Sequence, residues 1–239
     1  MELLITVCAR GGSKGIADKN VQPVLGVPLI GYTIDHAMKY ADKVGADVAL
    51  STDGEKIRTI AAEHGLVSQY DRPDDLATDT AGKIAVIRDI VEHEEQGRGK
   101  RYDVVLDLDV TSPLRTIKDL DDAYKIFKDD PNALNLFSVN PAHRNPYFNM
   151  VEQDTDGYYR LSKIPETPIL SRQTAPKVYD LNASFYYYRR EFFDLNYKNA
   201  YTERSLIFEM PHYCFDIDSQ TDFDFLEYQL MHNRFDFDA

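Results

Sequence analysis

A chain of 239 residues, 43% of them hydrophobic and 28% charged, is long enough to bury one substantial core. Its formal net charge of −13 argues against a nucleic-acid or anionic-membrane surface, both of which need a basic face, but leaves room for a small polyanion held by a local cluster of cations. No apolar run nears the roughly 20 residues that span a bilayer, Met1-Glu2-Leu3 lacks the positive flank of a secretory signal, and Cys8 and Cys214 form no C-x-x-C pair, so a cytoplasmic location with reduced thiols is expected.

The first 130 or so residues alternate strand-like and helix-like patterns. Residues 3–9 predict a buried strand, followed by a loop rich in glycine and cations and a helix over 28–40 with Ile30, Ile34 and Ala37 on one face. A strand over 47–52 and helices over 55–64 and 82–95 come next. A strand over 102–110 then leads to a helix over 117–128, whose apolar face carries Leu120, Tyr124 and Phe127. Continuous apolar strands alternating with amphipathic helices predict a parallel sheet covered on both faces. Ligands of such sheets bind at the carboxyl ends of the strands, which singles out the loops that begin at Ala9, Ser51 and Asp109.

After Pro131 the pattern changes. Residues 135–139 read as a core strand, and an arm over approximately 140–180 follows, rich in proline, with a hairpin of 147–153 and 158–163 around a turn at 154–157. A strand over 183–190 returns the chain to the sheet, and a last helix, capped by Ser219, runs to 235. Nothing marks a second domain, so residues 1–239 are read as one.

The opening loop, Ala9-Arg10-Gly11-Gly12-Ser13-Lys14-Gly15, fits neither the Walker A pattern nor G-x-G-x-x-G. Gly11 and Gly12 can present backbone N–H groups, with Arg10, Ser13, Lys14 and Lys19 as phosphate ligands; a solvated turn with incidental cations explains the same residues. Ser51-Thr52-Asp53 could meet a sugar or base, or simply make a turn with Gly54. Arg72 precedes a small polar loop in which Asp79 or Thr80 could cap the next helix. Asp107 and Asp109 end a central strand and share a face, a costly placement unless they are paired or metal-bound. Asp109 can also cap the turn at Thr111 and Ser112. Asp216 and Asp218 repeat the i, i+2 spacing and, near a triphosphate, form a donor pair of the kind that holds Mg²⁺; an acidic helix start is the plainer reading. Arg172 could clasp a carboxylate, and the histidines show no zinc spacing.

Taken in order, Ala9-Arg10-x-x-Ser13-Lys14-Gly15, Lys19-Asn20, Ser51-Thr52-Asp53, Arg72-Pro73, Thr111-Ser112-Pro113-Leu114-Arg115, Arg172-Gln173, Asn182-Ala183 and Asp216-Ile217-Asp218 resemble the acylneuraminate cytidylyltransferases, over nearly the whole chain. The resemblance implies an α/β fold of nucleotidyltransferase type, a Rossmann-like, mostly parallel sheet flanked by helices with an inserted dimerisation arm. It also implies transfer of CMP from CTP to the anomeric hydroxyl of a nine-carbon 2-keto sugar acid, with Mg²⁺ and a homodimer in which each arm reaches its partner's site. Carried over by motif, Arg10, Gly12, Ser13, Lys14, Lys19, Asn20, Arg72 and Ala81 hold the nucleotide. Asp109, Arg172, Gln173, Asn182, Ser184 and Tyr186 face the sugar acid. Lys19, Asp216 and Asp218 are the expected catalytic groups, the two aspartates as metal ligands and one of them as proton acceptor. Asp109-Val110 stands where relatives often have Gln-Pro, which leaves open whether the acid is N-acetylneuraminate, its deaminated form or a legionaminate-like relative. Ala183 replaces a glycine, a mild change. A cytidylyltransferase for the eight-carbon Kdo and a non-catalytic nucleotide-binding regulator are the alternatives.

Overall fold

The computed structural model describes residues 1–12, 16–78 and 80–232. Its centre is a six-stranded sheet in the order β10-β6-β9-β5-β1-β4, built from β1 (Leu3–Cys8), β4 (Asp47–Ser51), β5 (Val104–Leu108), β6 (Asn135–Pro141), β9 (Tyr179–Arg189) and β10 (Ser205–Glu209). β1 runs parallel to β4 and β5, β10 runs parallel to β6, and β9 alone opposes its neighbours. β9 comes back from the arm rather than through a crossover helix, and that reverses its direction.

Helices α1 (Leu29–Val44), α2 (Glu55–Glu63), α4 (Ile117–Asp129) and α6 (Gln220–Met231) cover one face; α3 (Lys83–Arg98) and α5 (Arg190–Asp194) cover the other. The aromatic run of β9 serves both layers by strand alternation: Phe185 and Tyr187 lie in the first core, Tyr186 and Tyr188 in the second. Helix starts follow sequence chemistry. Thr116 with Asp119 and Ser219 with Asp222 each form a reciprocal capping box, so the expected cap at Ser219 is present. Gly82, not Thr80, is the N-cap of α3, without a side-chain bond, and Asp79 lies outside the described residues.

Three features differ from the pattern-based expectation. β10, a short edge strand, joins the sheet beside β6, and the expected end of β9 turns into α5 at Arg190. A small hairpin, β2 (Pro23–Val24) with β3 (Val27–Pro28), turns through Leu25 and Gly26, both at positive φ. The arm's hairpin is shorter than expected, β7 (Val151–Gln153) against β8 (Tyr159–Leu161), because Asn145 Oδ1 accepts from the Tyr147 N–H at 2.9 Å and folds that stretch into a turn. Both cysteines are free thiols, and no described helix is long and apolar enough to cross a membrane.

Candidate active site

The opening loop leaves β1 at the carboxyl edge of the sheet and docks on the loop after β4. The Ala9 N–H donates to the Ser51 carbonyl at 3.0 Å and the Gly11 N–H to Asp53 Oδ1 at 2.8 Å. Gly11 and Gly54 then meet backbone to backbone: a Cβ on Gly54 would lie 3.0 Å from Gly11 Cα. Ser51-Thr52-Asp53 therefore anchors the loop, and Ser51 also receives Arg72, whose Nε donates to Ser51 Oγ at 2.9 Å and Nη2 to the Ser51 carbonyl at 2.6 Å. Asn20 Nδ2 holds the Arg10 carbonyl at 3.1 Å, while Asn20 Oδ1 is buried without a partner beside a concavity of about 180 Å³. Such an acceptor suits a ligand hydroxyl. Gly12 is exposed; Ser13 and Lys14 lie outside the described residues.

A second cleft of about 300 Å³ gathers Arg10, Arg72, Ala81, Lys83 and Asp109 with the apolar Leu76 and Val86. Lys83, which sequence reasoning passed over, resolves the question raised by the strand-end carboxylates. Its Nζ lies 2.9 Å from Asp107 Oδ2 and 2.5 Å from Asp109 Oδ2. Asp107 also accepts from Thr6 Oγ1 at 2.9 Å, and Asp109 Oδ1 takes the N–H and hydroxyl of Thr111 at 2.9 and 2.8 Å. Burial alone would drive both charges off, but the pairing outweighs it: the Lys83 ammonium is pushed well above its usual range and the Asp109 carboxyl down to about 2. Asp109 is thus both the turn cap and half of an ion pair. The one sequence signal for Lys83 was its position on the first turn of α3, where the helix dipole disfavours a cation.

Thr111 links this cleft to the second aspartate pair. Its carbonyl accepts from the Ile217 N–H at 2.8 Å, and Ser112 Oγ donates to the Phe215 carbonyl at 3.1 Å, so the Thr-Ser-Pro turn fixes the strand-like segment that carries Asp216 and Asp218. Lys19 reaches the same segment from the opening loop, donating to the Ile217 carbonyl and lying 3.8 Å from Asp218 Oδ1. Burial lifts the Asp216 carboxyl above its usual range, against a Thr111 bond that lowers it, and the nearby charges of Asp109 and Asp218 lift it further. Its Oδ1 is buried with no partner, whereas the Asp218 side chain is 81% exposed.

No group of three or more His, Cys, Asp or Glu side chains among the described residues forms a metal cage. A pair of carboxylates with one orphaned oxygen, next to cations suited to phosphates, nevertheless fits Mg²⁺, which takes one or two carboxylates and completes its shell with phosphate oxygens and water.

The expected sugar-facing residues fall in different places. Tyr186 is beside the cleft, its ring 4.7 Å below Lys83 Nζ. Ser184 is fully buried, donating to the Ser112 carbonyl at 3.0 Å and accepting from Arg115 Nε at 3.0 Å; as placed it secures the turn and faces no solvent. Asn182 is likewise engaged, its Oδ1 accepting from Ser138 Oγ at 2.6 Å and its Nδ2 donating to Asn140 Oδ1 at 3.0 Å in a bulge of β9. The substitution at Ala183 is less mild than the sequence suggests, because its φ is +59°, a conformation that glycine adopts without strain. Arg172 and Gln173 line a separate concavity of about 290 Å³ at the base of the arm, with Arg172 Nη2 on the His143 carbonyl at 3.1 Å. One chain does not bring them to the cleft of Arg10, Arg72 and Lys83.

A nucleotide-sized cleft at strand ends, ringed by cations and connected by Thr111 to a carboxylate pair, is what nucleotidyl transfer needs. Residues 4–237 match the profile of the cytidylyltransferase family. The chain belongs to that family. The fold agrees: the solved CMP-2-keto-3-deoxy-manno-octonic acid synthetase complexed with CTP superposes with a TM-score of 0.67, covering 98% of this chain and 100% of that one at 16% identity. Among curated proteins, the post-translational flagellin modification protein B of Campylobacter coli is 37% identical, over 95% of this chain and 94% of its own. The CMP-N,N'-diacetyllegionaminic acid synthase of Campylobacter jejuni is 36% identical over the same shares. This cytidylyltransferase is therefore a nucleotidyltransferase, with the mostly parallel, helix-flanked sheet expected of it.

Proposed function

We propose that this cytidylyltransferase transfers CMP from CTP to the anomeric 2-hydroxyl of a nine-carbon, sialic-type sugar acid, with N,N'-diacetyllegionaminate the first acid to test. The observation that carries the reading is the unbroken line of contacts from Lys19 through Ile217, Thr111 and Asp109 to Lys83, which sets two aspartates beside a cleft of cations. Similarity along nearly the full length of a diacetyllegionaminate synthase supports the acceptor class.

In the reaction the anomeric oxygen bonds to the α-phosphorus, the bond to the β-phosphate oxygen breaks, and pyrophosphate leaves. Charge gathers on phosphoryl oxygens, so catalysis is chiefly alignment and neutralisation. Arg10 and Arg72 stand in the cleft for the nucleotide, with Ala81 on its wall, and Asn20 offers its orphaned carbonyl to a hydroxyl. Lys19 holds the carboxylate segment in register with the opening loop. Asp216 and Asp218 would hold Mg²⁺, which when bound would supply positive charge at the phosphates and acidify the attacking hydroxyl, and one carboxylate of this pair would accept the hydroxyl's proton.

A homodimer accounts for the arm. Its Val151, Tyr158, Tyr159, Ile164 and Leu170 are all at least 60% exposed, and a partner's cleft gives Arg172 and Gln173 a carboxylate to bind. Phosphorus NMR of the protein with CTP, Mg²⁺ and diacetyllegionaminate tests the reading. A new phosphodiester resonance with matching pyrophosphate is expected, and an unchanged CTP spectrum with every nine-carbon acid contradicts it.

A further inference from the structure

Lys83 has more to do than neutralise two aspartates. An ammonium group carries three N–H donors: one goes to Asp109 Oδ2 at 2.5 Å, while Asp107 Oδ2 lies 2.9 Å away as an ion-pair partner and takes no hydrogen bond from it. Its side chain remains 36% exposed and lines the cleft with Arg10 and Arg72. Asp107, by contrast, is sealed from solvent, and Asp109 Oδ1 is spent on Thr111. Of this trio, Lys83 is the most exposed to the cleft, 36% against 21% for the Asp109 side chain that lines it with Lys83. A buried ion pair adds little stability over apolar residues of the same volume, and a lysine on the first turn of a helix opposes the dipole, so the fold gains little from this arrangement by itself.

We propose that Lys83 is a substrate-contacting residue that donates an N–H not given to Asp109 to an anionic oxygen of the bound substrates, either the nucleotide's α-phosphate or the acceptor's carboxylate, while Asp107 and Asp109 fix its position. The inference rests on the CMP-transfer reading. It also changes the role of Asp109, which acts on the substrate through Lys83 and is a positioning residue.

The test is steady-state kinetics of Lys83→Gln and Lys83→Arg with CTP and the acceptor acid varied separately, alongside thermal unfolding. A charge-assisted hydrogen bond lost in Lys83→Gln raises one KM roughly ten- to hundredfold, and Lys83→Arg recovers most of it. A rise in the KM of CTP, or a fall in kcat alone, assigns the contact to the α-phosphate; a rise in the KM of the acid assigns it to the carboxylate. If Lys83→Gln unfolds before assay, pairing it with Asp107→Asn removes the stranded buried charge and the same readings apply. An active parent enzyme whose kinetic constants are unmoved by Lys83→Gln, whatever its melting point, overturns the inference. A parent silent with every acid overturns the transfer reading itself.

Discussion

Replacing Gly54 with alanine tests whether the close approach of two glycines sets the position of the opening loop. The added Cβ would sit 3.0 Å from Gly11 Cα, 3.5 Å from Gly11 N and 3.3 Å from Ile57 Cδ1. Carbon atoms pack best at about 3.5–4.0 Å, so the Gly11 backbone has to retreat by about 0.5 Å or more. Gly54 has φ −97° and ψ 118°, open to alanine, so the effect comes from the contact and not from dihedral strain. Overpacking of this kind costs about 1–3 kcal/mol. Retreat also pulls the Gly11 N–H from Asp53 and disturbs Arg10, whose carbonyl is held by Asn20. If most of the penalty falls on the loop, CTP affinity drops about 5- to 100-fold, at about 1.4 kcal/mol per tenfold. Calorimetric titration of CTP measures this directly, and the melting point should fall by about 2–4 °C per kcal/mol that reaches the fold. Gly54→Ser, which adds a capping hydroxyl worth only a few tenths of a kcal/mol over glycine but keeps the clash, should lower CTP affinity alike. Wild-type CTP affinity and melting point in Gly54→Ala would refute the reasoning, because the loop would then not depend on that contact.

Ala183→Gly should stabilise the protein: relief of a left-handed residue gains about 1–2 kcal/mol and glycine's extra unfolded-state freedom returns about 0.5–1, for a melting point raised by a degree or more. Asp216→Asn should raise the melting point at neutral pH, since it removes a buried carboxylate whose charged form the fold disfavours, and lower kcat by about 10²- to 10⁴-fold while CTP still binds. Equal loss of turnover and binding would mark that aspartate as structural. Burial, aided by the charge of Arg115, holds the His36 imidazole down to about 4 from its ordinary 6.5. A base with a depressed folded value keeps its contribution above about 6.5 and loses it as pH falls toward 4, because the unfolded chain takes the proton first; the unfolding free energy from urea titrations should drop over that window by about 2–3 kcal/mol, and His36→Gln should flatten the drop.

Much of the sheet was legible because its strands are buried on both faces and read as unbroken apolar runs, as in Leu3–Cys8 and Val104–Leu108. The edge strand Ser205–Glu209 was not, since half-buried residues on a sheet margin carry no periodic signal. At the site, Arg10, Arg72, Asp109 and Tyr186 were named in advance and meet around one cleft. Ser184 and Asn182 were also named, but their side chains turn inward to hold Arg115 and a β-bulge, a direction that residue type does not encode. Lys83 escaped notice because its partners lie 24 and 26 positions away, across a helix and a strand. Arg172 and Gln173 belong to an arm whose fit depends on a second chain in the proposed homodimer, beyond the reach of any reading of one.

Pyrophosphate release from CTP tests the central claim most directly, measured with Mg²⁺ and, in parallel, N,N'-diacetyllegionaminate, N-acetylneuraminate, its deaminated form and Kdo. The account predicts release with a nine-carbon acid, highest kcat/KM for diacetyllegionaminate, and none once Mg²⁺ is chelated. Release with Kdo alone would contradict the acceptor assignment, and silence with all four beside measurable CTP binding would contradict catalysis.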